Sequence, residues 1–440
     1  MDYLANIIFG LVFVGAIAFF VRNVRRLIRN IQLGKPIDRT DQPSKRWAQM
    51  ARIALGQSKM VVRPIAGLLH IVVYVGFVVI NIELLEIIVD GFLGTHRVFA
   101  PYLGSLYGVL IATFEVFALL VIVAVVLFWT RRNWVRIQRF WKPEMKGWPK
   151  KDADYILYIE LVLMVLFLTM NASDYWLQQQ EYDYYVQAGS FPISGQIAPL
   201  FDGMSVTTVV AIERTAWWLH ILGILCFLNY LYYSKHLHIL LAFPNTYFAN
   251  LNPKGKFENL DAVTNEVKLM LDPNADPYAA PQTDQVPAKF GASDVMDLNR
   301  VQLLNAYSCT ECGRCTDVCP PNQTGKKLSP RKLMMDTRDR LEEVGDLLNK
   351  KQAINDNLLM DNYISREELW ACTSCNACVE ACPIGIDPLS IIMDMRQYLV
   401  MEQSAAPAEL NVMMNNIENN GAPWPFNQQD RLLWRDEINT

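Results

Sequence analysis

The sequence predicts an all-α fold in two parts: five membrane-crossing helices, then a helical module built around a repeated cysteine motif. Five stretches of the first half are apolar and long enough to span a bilayer. The second half writes Cys-x-x-Cys-x-x-Cys-x-x-x-Cys-Pro twice. Hydrophobic residues make up 52% of the 440, high for a soluble protein with such motifs, and the excess lies in the N-terminal half.

The apolar stretches cover about 4–21, 64–89, 105–129, 155–171 and 207–233, the last continuing as helix to about 240. In the first, Arg22, Arg25, Arg26 and Arg29 follow the apolar run instead of preceding it, and no small-residue cleavage site ends it. That excludes a signal peptide. Arg131, Arg132, Arg136, Arg139, Lys142, Lys146, Lys150 and Lys151 follow the third stretch. The loop from Asn171 to Thr208 has no Lys or Arg but carries Asp174, Glu181, Asp183 and Asp202. The positive-inside rule then puts the N-terminus outside and the C-terminal module in the cytoplasm, in an inner-membrane protein. A net charge of −4 with no basic tract gives no reason to expect nucleic acid.

Cys309, Cys312, Cys315, Cys319 and Pro320 form the first motif; Cys372, Cys375, Cys378, Cys382 and Pro383 form the second. This is the two-cluster ferredoxin spacing, in which three thiolates grip one [4Fe–4S] cluster and the fourth reaches the other. Cys309, Cys312, Cys315 and Cys382 are therefore expected on cluster 1, and Cys372, Cys375, Cys378 and Cys319 on cluster 2. Disulfides need an oxidising compartment, and zinc ribbons use paired Cys-x-x-Cys units without the third step. The ninth cysteine, Cys226, sits in an apolar run and is read as a buried small hydrophobe.

There are five histidines: His70, His96, His220, His236 and His238. An imidazole within the membrane needs a partner or a ligand. A b-type haem is the expected ligand, since no Cys-x-x-Cys-His attachment motif occurs and facing helices of a bundle can supply two axial histidines. Hydrogen bonding to Asn81, Glu83 or a backbone carbonyl is the alternative. On an unbroken fifth helix, His220 and His238 share a face about 27 Å apart, with His236 on the other side. His96 lies in an outer connection and is read as a surface residue, with a substitute-ligand role as the alternative.

The linker runs over 246–292 and is turn-rich at Asn252-Pro253-Lys254-Gly255 and Asp272-Pro273-Asn274-Ala275-Asp276-Pro277, then polar from Ala280-Pro281 to Val286-Pro287. The cysteine module covers 293–402. Ser293 is expected to cap a helix running into Cys309, Ser329-Pro330 to open one reaching about Leu348, and Pro388 to Met401 to form another. The tail, 403–440, carries Trp424, Phe426 and Trp434 and is read as a docking segment or as packing on its own module.

The membrane half (1–245) resembles the gamma subunit of respiratory nitrate reductase, a five-helix dihaem cytochrome b. The whole chain is similar to membrane-bound iron–sulfur proteins related to heterodisulfide reductase. The resemblance rests on Trp217-Trp218-Leu219-His220, Tyr233-Ser234-Lys235-His236-Leu237-His238, Cys309-Thr310-Glu311-Cys312-Gly313-Arg314-Cys315, and the tail residues Gly421-Ala422-Pro423-Trp424, Arg431 and Trp434. It implies a cytoplasm-side haem between His70 and His238, with His70–His220 as the alternative pair. It also implies an outer haem on His220, whose usual partner position holds Ile80 or Asn81 here, so the count is one haem or two.

Arg63 and Lys235 are candidates for pairing haem propionates, and Glu83, Glu115 and Glu213 for a quinone pocket. The expected role is electron transfer between a cytoplasmic redox partner and membrane quinone. The relatives point to a partner subunit with cysteine-rich domains or to an electron-transferring flavoprotein. A membrane-anchored ferredoxin scaffold without haem or quinone chemistry is the alternative; a redox sensor lacks a recognisable output domain.

Overall fold

The computed structural model describes residues 3–182, 184–273 and 289–438. The fold is all-α, and five long apolar helices lead: α1 (Leu4–Gln32), α2 (Pro64–Leu93), α3 (Ser105–Trp129), α4 (Trp148–Gln179) and α5 (Val206–Tyr230). Each is long and apolar enough to cross a bilayer, so this is a multi-pass membrane protein. Pro64 opens α2 at a position where its missing N–H costs nothing, and the Ser205 hydroxyl accepts from the Thr208 amide to cap α5.

α1 and α4 outrun their apolar stretches furthest. An apolar run marks where lipid ends, not where hydrogen bonding ends. The polar last turns of α1 continue into the cysteine module, where Asn30 is buried and donates to the Tyr307 hydroxyl at 3.0 Å. Likewise α4 continues to Gln179 and buries Asn171 and Asp174, which the sequence assigned to a loop. Asp183 of that loop lies outside the described residues.

The fifth helix corrects the sequence reading most. It ends at Tyr230, and short 3₁₀ turns cover Leu231–Tyr233 and Lys235–Leu237 before α6 (His238–Tyr247) begins. Ser234 is extended, with ψ 147°. Buried Asp152 on α4 explains the break: it accepts from the Tyr230 hydroxyl at 2.5 Å and from the Lys235 amide at 3.1 Å. That amide would otherwise bond back along the helix. With the axis broken, His220 and His238 no longer share a helical face. Cys226 is exposed on the bundle, not buried; a lipid-facing helix surface is also apolar.

Part of the expected linker is also helical, as α7 (Asp261–Leu271). Residues 274–288, with the Asn274–Pro277 and Ala280–Pro287 turn signals, lie outside the described residues. The module contains α8 (Arg300–Ser308), α9 (Arg314–Asp317), α10 (Pro330–Asn349), α11 (Ala377–Ala381) and α12 (Pro388–Met401). Ser329 caps α10 as expected, but Asn299, not Ser293, caps α8, because Gln302 returns the bond and completes a capping box. Buried side chains from α1, the 3₁₀ turns and the module form one continuous core, including Leu27, Leu231, Leu237, Leu303, Met334 and Ile392. Beyond it, α13 (Ala408–Asn420) and the tail fold on themselves through Asn416 and Gln428, leaving Trp424, Phe426 and Trp434 exposed.

Candidate redox centres

Each cysteine motif begins where a helix stops. α8 ends at Ser308 and the helix Arg366–Ala371 ends one residue before Cys372. Two left-handed residues then recur at the same register: Glu311 (φ 54°) and Gly313 (φ 72°) in the first copy, Ser374 (φ 56°) and Asn376 (φ 60°) in the second. Such alternation curls backbone N–H groups inward, a shape that suits an anionic cluster. At Gly313 a Cβ would lie 2.4 Å from the Arg331 guanidinium, so glycine is needed there twice over.

The fourth cysteine of each motif lies beside the other motif. Cys309, Cys312 and Cys315 line a small void together with Cys378 and Cys382 of the second motif. Cys319 sits with the other motif: burial first, then nearby Cys372 and Cys375, pushes its thiol up. Burial likewise pushes Cys309 up to about 12 and Cys382 up to about 11. Without a metal these thiols stay protonated, so iron must displace their protons.

The first void faces the membrane helices. Arg314, beside Cys315, donates to the carbonyls of Lys59 and Met60 at 3.0 and 3.4 Å. Gly67 packs on that same Met60 carbonyl, where a Cβ would come within 2.9 Å. His70 follows three residues later on α2. The route from the first motif to His70 is therefore short and continuous.

His70 meets His238, their ring centroids 6.5 Å apart with planes inclined at 43°. The His238 Nδ1 lies 3.0 Å from the Lys235 carbonyl, which fixes Nδ1 as its N–H and leaves Nε2 free. The Nδ1 of His70 is buried without a partner. Two imidazoles that shared one metal through bonds of about 2 Å would have ring centroids about 6 Å apart. The pair has the donor type and spacing for a bis-histidine haem iron.

His236 joins this cluster, 5.5 Å from the His238 ring and with Nε2 3.6 Å from Glu160. The sequence placed it on the opposite face; the break at Ser234 brings it round. His220 stands apart, its Nδ1 3.0 Å from the Leu163 carbonyl and its ring against Phe167. Asn81 bonds back to Phe77 on its own helix.

The proposed propionate partners are engaged elsewhere. Lys235 pairs with Glu311 of the first motif and lies 3.7 Å from Asp152, while Arg63 pairs with Asp317 at 2.7 Å. Arg338 reaches Glu311 at 2.8 Å. Burial opposes ionisation of Glu311, yet Lys235 and Arg338 hold its carboxyl below the usual range. Lys235 and Arg63 strap the module to the bundle. Glu311 was visible in the motif, but its partner was not, since the two are 76 residues apart.

A cavity of about 330 Å³ opens at the other end of the bundle, among α1, α2, α4 and α5. Glu83 and Glu213 line it; Glu115 does not. Glu115 instead accepts from the amides of Ile193 and Ser194 at 2.9 and 3.1 Å, which fastens a loop. His96, expected at the surface, lines this cavity with only 9% of its side chain exposed, held by Asp174 at 3.3 Å. Its neighbour Arg97 bonds Asp174 at 2.6 Å and Asn171 at 3.0 Å. Nothing in the sequence pairs His96 and Arg97 with Asp174, almost 80 residues on.

Residues 302–383 match the profile of the 4Fe-4S dicluster domain, and 371–396 that of a 4Fe-4S binding domain. The chain is a membrane-anchored 4Fe–4S dicluster protein. It is 27% identical over 466 aligned residues to the probable iron-sulfur-binding oxidoreductase FadF of Bacillus subtilis, covering 98% of this chain and 61% of that one. To the EtfAB:quinone oxidoreductase of Syntrophomonas wolfei it is 25% identical over 428 residues, 91% of this chain and 55% of that one. It is also similar to one component of the dihydromethanophenazine:CoB–CoM heterodisulfide reductase of Methanosarcina mazei, 28% identical over 153 residues that cover 33% of this chain and 36% of the relative. The chain thus spans about three fifths of the length of the first two relatives. No solved structure matches it.

Proposed function

We propose that this chain carries electrons between a cytoplasmic redox partner and the membrane quinone pool. The eight motif cysteines would hold two [4Fe–4S] clusters and His70 with His238 a b haem, and these groups would supply the one-electron chemistry. The observation that carries the reading is the His70–His238 pair, 6.5 Å between centroids, at the end of the bundle that meets the first cysteine motif. A bound haem there would supply one-electron transfer between the clusters and the membrane interior. The chain's own contribution is positional: the Lys235 carbonyl orients His238, and the Arg314–Met60 contact holds the first motif against α2.

The proposed ligands are Cys309, Cys312, Cys315 and Cys382 for one cluster, and Cys372, Cys375, Cys378 and Cys319 for the other. Quinone is the membrane-side reactant, as the name of the Syntrophomonas relative states for that protein. An electron-transferring flavoprotein is the cytoplasmic partner by the same likeness, with the exposed aromatic tail as its docking segment. The cysteine module faces the cytoplasm by the distribution of Lys and Arg.

A dithionite-reduced minus oxidised spectrum with pyridine haemochrome quantification tests the haem. One b haem per chain, lost in His238→Ala and kept in His220→Ala, is the expected result. Intact clusters without any haem would leave a membrane-anchored ferredoxin instead.

A further inference from the structure

The cavity remote from the cysteine module holds two polar atoms that its own walls leave unanswered. Oε2 of Glu83 is buried and has no hydrogen-bond partner, and so is Nδ1 of His96. Glu83 itself is only 3% exposed. A buried polar atom without a partner is costly and calls for an explanation.

The other acids around the cavity are spoken for. Glu86 accepts from the Phe99 amide at 2.8 Å and the Tyr107 hydroxyl at 2.7 Å. Asp90 takes the Arg97 amide at 2.9 Å and the Thr95 hydroxyl at 2.5 Å. Glu213 is held by Tyr185 at 2.8 Å and by Arg214. Glu83 alone among them has an oxygen with nothing to accept from.

The state of His96 follows from its neighbour. Asp174, paired with Arg97, can only accept, so the His96 nitrogen facing it, Nε2, carries the proton. The cavity therefore presents a carboxyl group and an imidazole, each with one open polar atom, beside the aromatic walls of Phe9, Trp217 and Trp218. A ligand that satisfies both must bring two polar oxygens on a flat apolar body. A hydroquinone has its two hydroxyls at opposite ends of one aromatic ring, and about 330 Å³ falls within the range of small-ligand sites.

We propose that this cavity is where quinol binds, and that Glu83 and His96 are the catalytic residues that exchange its two protons. The proposal rests on the quinone reading above and narrows it to one site and two residues. In quinol oxidation both O–H bonds break. One proton goes to the Glu83 carboxylate and one to His96 Nδ1, where Asp174 stabilises the imidazolium. Two electrons leave one at a time for the iron centres of the chain, and quinone departs. In the reverse direction the same two groups, protonated, return the protons.

The test uses the full chain in lipid vesicles with menadiol as electron donor and cluster absorbance as the readout. Glu83→Gln and His96→Gln should each lower kcat about 100-fold, the scale of a lost acid–base group, with KM changed far less. Arg97, Glu86, Asp90, Asp174, Glu213 and Arg214 face the same cavity and remain unaltered in both variants. Dithionite must still reduce the clusters in each variant, which reports an intact fold.

Wild-type turnover with undiminished variants overturns the site. No turnover in the wild type overturns the quinone reading itself. Should either variant fail to assemble, menadiol quenching of tryptophan fluorescence that is present in the wild-type chain and missing from a Trp217→Phe, Trp218→Phe chain decides. Saturable quenching supports the cavity, and its absence overturns it.

Discussion

The two ends of the helix bundle put their charged groups to different uses. At the cysteine end ion pairs cross the junction, Lys235 to Glu311, Arg331 to Glu144 and Arg63 to Asp317, and Arg338 adds to Glu311 from within the module. At the remote end the ion pairs form a rim around a cavity, and Glu83 and His96 within it keep unpartnered atoms. A junction that must hold metal centres at fixed distance gains from saturated, rigid contacts. A site that admits a ligand and moves protons must keep acceptors in reserve. The same bundle thus carries a locked end and a receptive one.

Replacing a cluster ligand should break the locked end outright. Cys382→Ser is expected to cost about half the iron and to leave the residual spectrum of Cys312→Ser, not of Cys375→Ser, because Cys382 lies beside Cys309 and Cys312. Iron analysis with low-temperature EPR checks the pairing. If Cys382→Ser instead matched Cys375→Ser, each motif would hold its own cluster.

Lys235→Met sharpens the contrast by removing one of the two cations that hold the buried Glu311 carboxylate. Losing one partner of a buried pair costs about 3 kcal/mol, read as an earlier loss of cluster absorbance in guanidinium. Arg97→Met at the other end takes the guanidinium away from buried Asp174 and should cost a similar amount in thermal unfolding. It should leave the iron–sulfur spectrum unchanged. If both variants altered the clusters equally, the two ends would not be separable.

The smallest expected effect lies inside the cysteine module. Burial raises Asp394 to about 6, against the opposing hydrogen bond from Gln302. A raised carboxyl binds its proton better in the folded chain. Its contribution is full below about pH 4 and is lost as pH rises through 6. Asp394→Asn should therefore flatten the pH dependence of module stability between 4 and 7. An unchanged slope would place the titration elsewhere.

Much of this architecture was legible from residues alone. Apolar runs located the five spans, Ser329-Pro330 and Pro388 located two module helices, and the cysteine spacing named the clusters. What stayed hidden depends on contacts distant in sequence. Nothing local to Tyr230–Lys235 announces that Asp152 will capture the Lys235 amide and break the helix, so His236 was placed on the wrong face. Lys235 and Arg63 looked available for propionates only because Glu311 and Asp317 lie far along the chain. Glu115 looked like a free buried acid because the loop amides it holds carry no sequence signature. Charge in an apolar stretch can be read from sequence; whether that charge is already satisfied cannot.

The most direct test of the electron path is a single-turnover experiment on the dithionite-reduced chain in vesicles. Menadione is added, and cluster EPR and the b-type absorption band are followed together. The account predicts that both signals are reoxidised and that His238→Ala blocks reoxidation of the clusters. Clusters that remain reduced in the presence of quinone, or that reoxidise equally fast in His238→Ala, would contradict a path from the cysteine module through this histidine to the membrane.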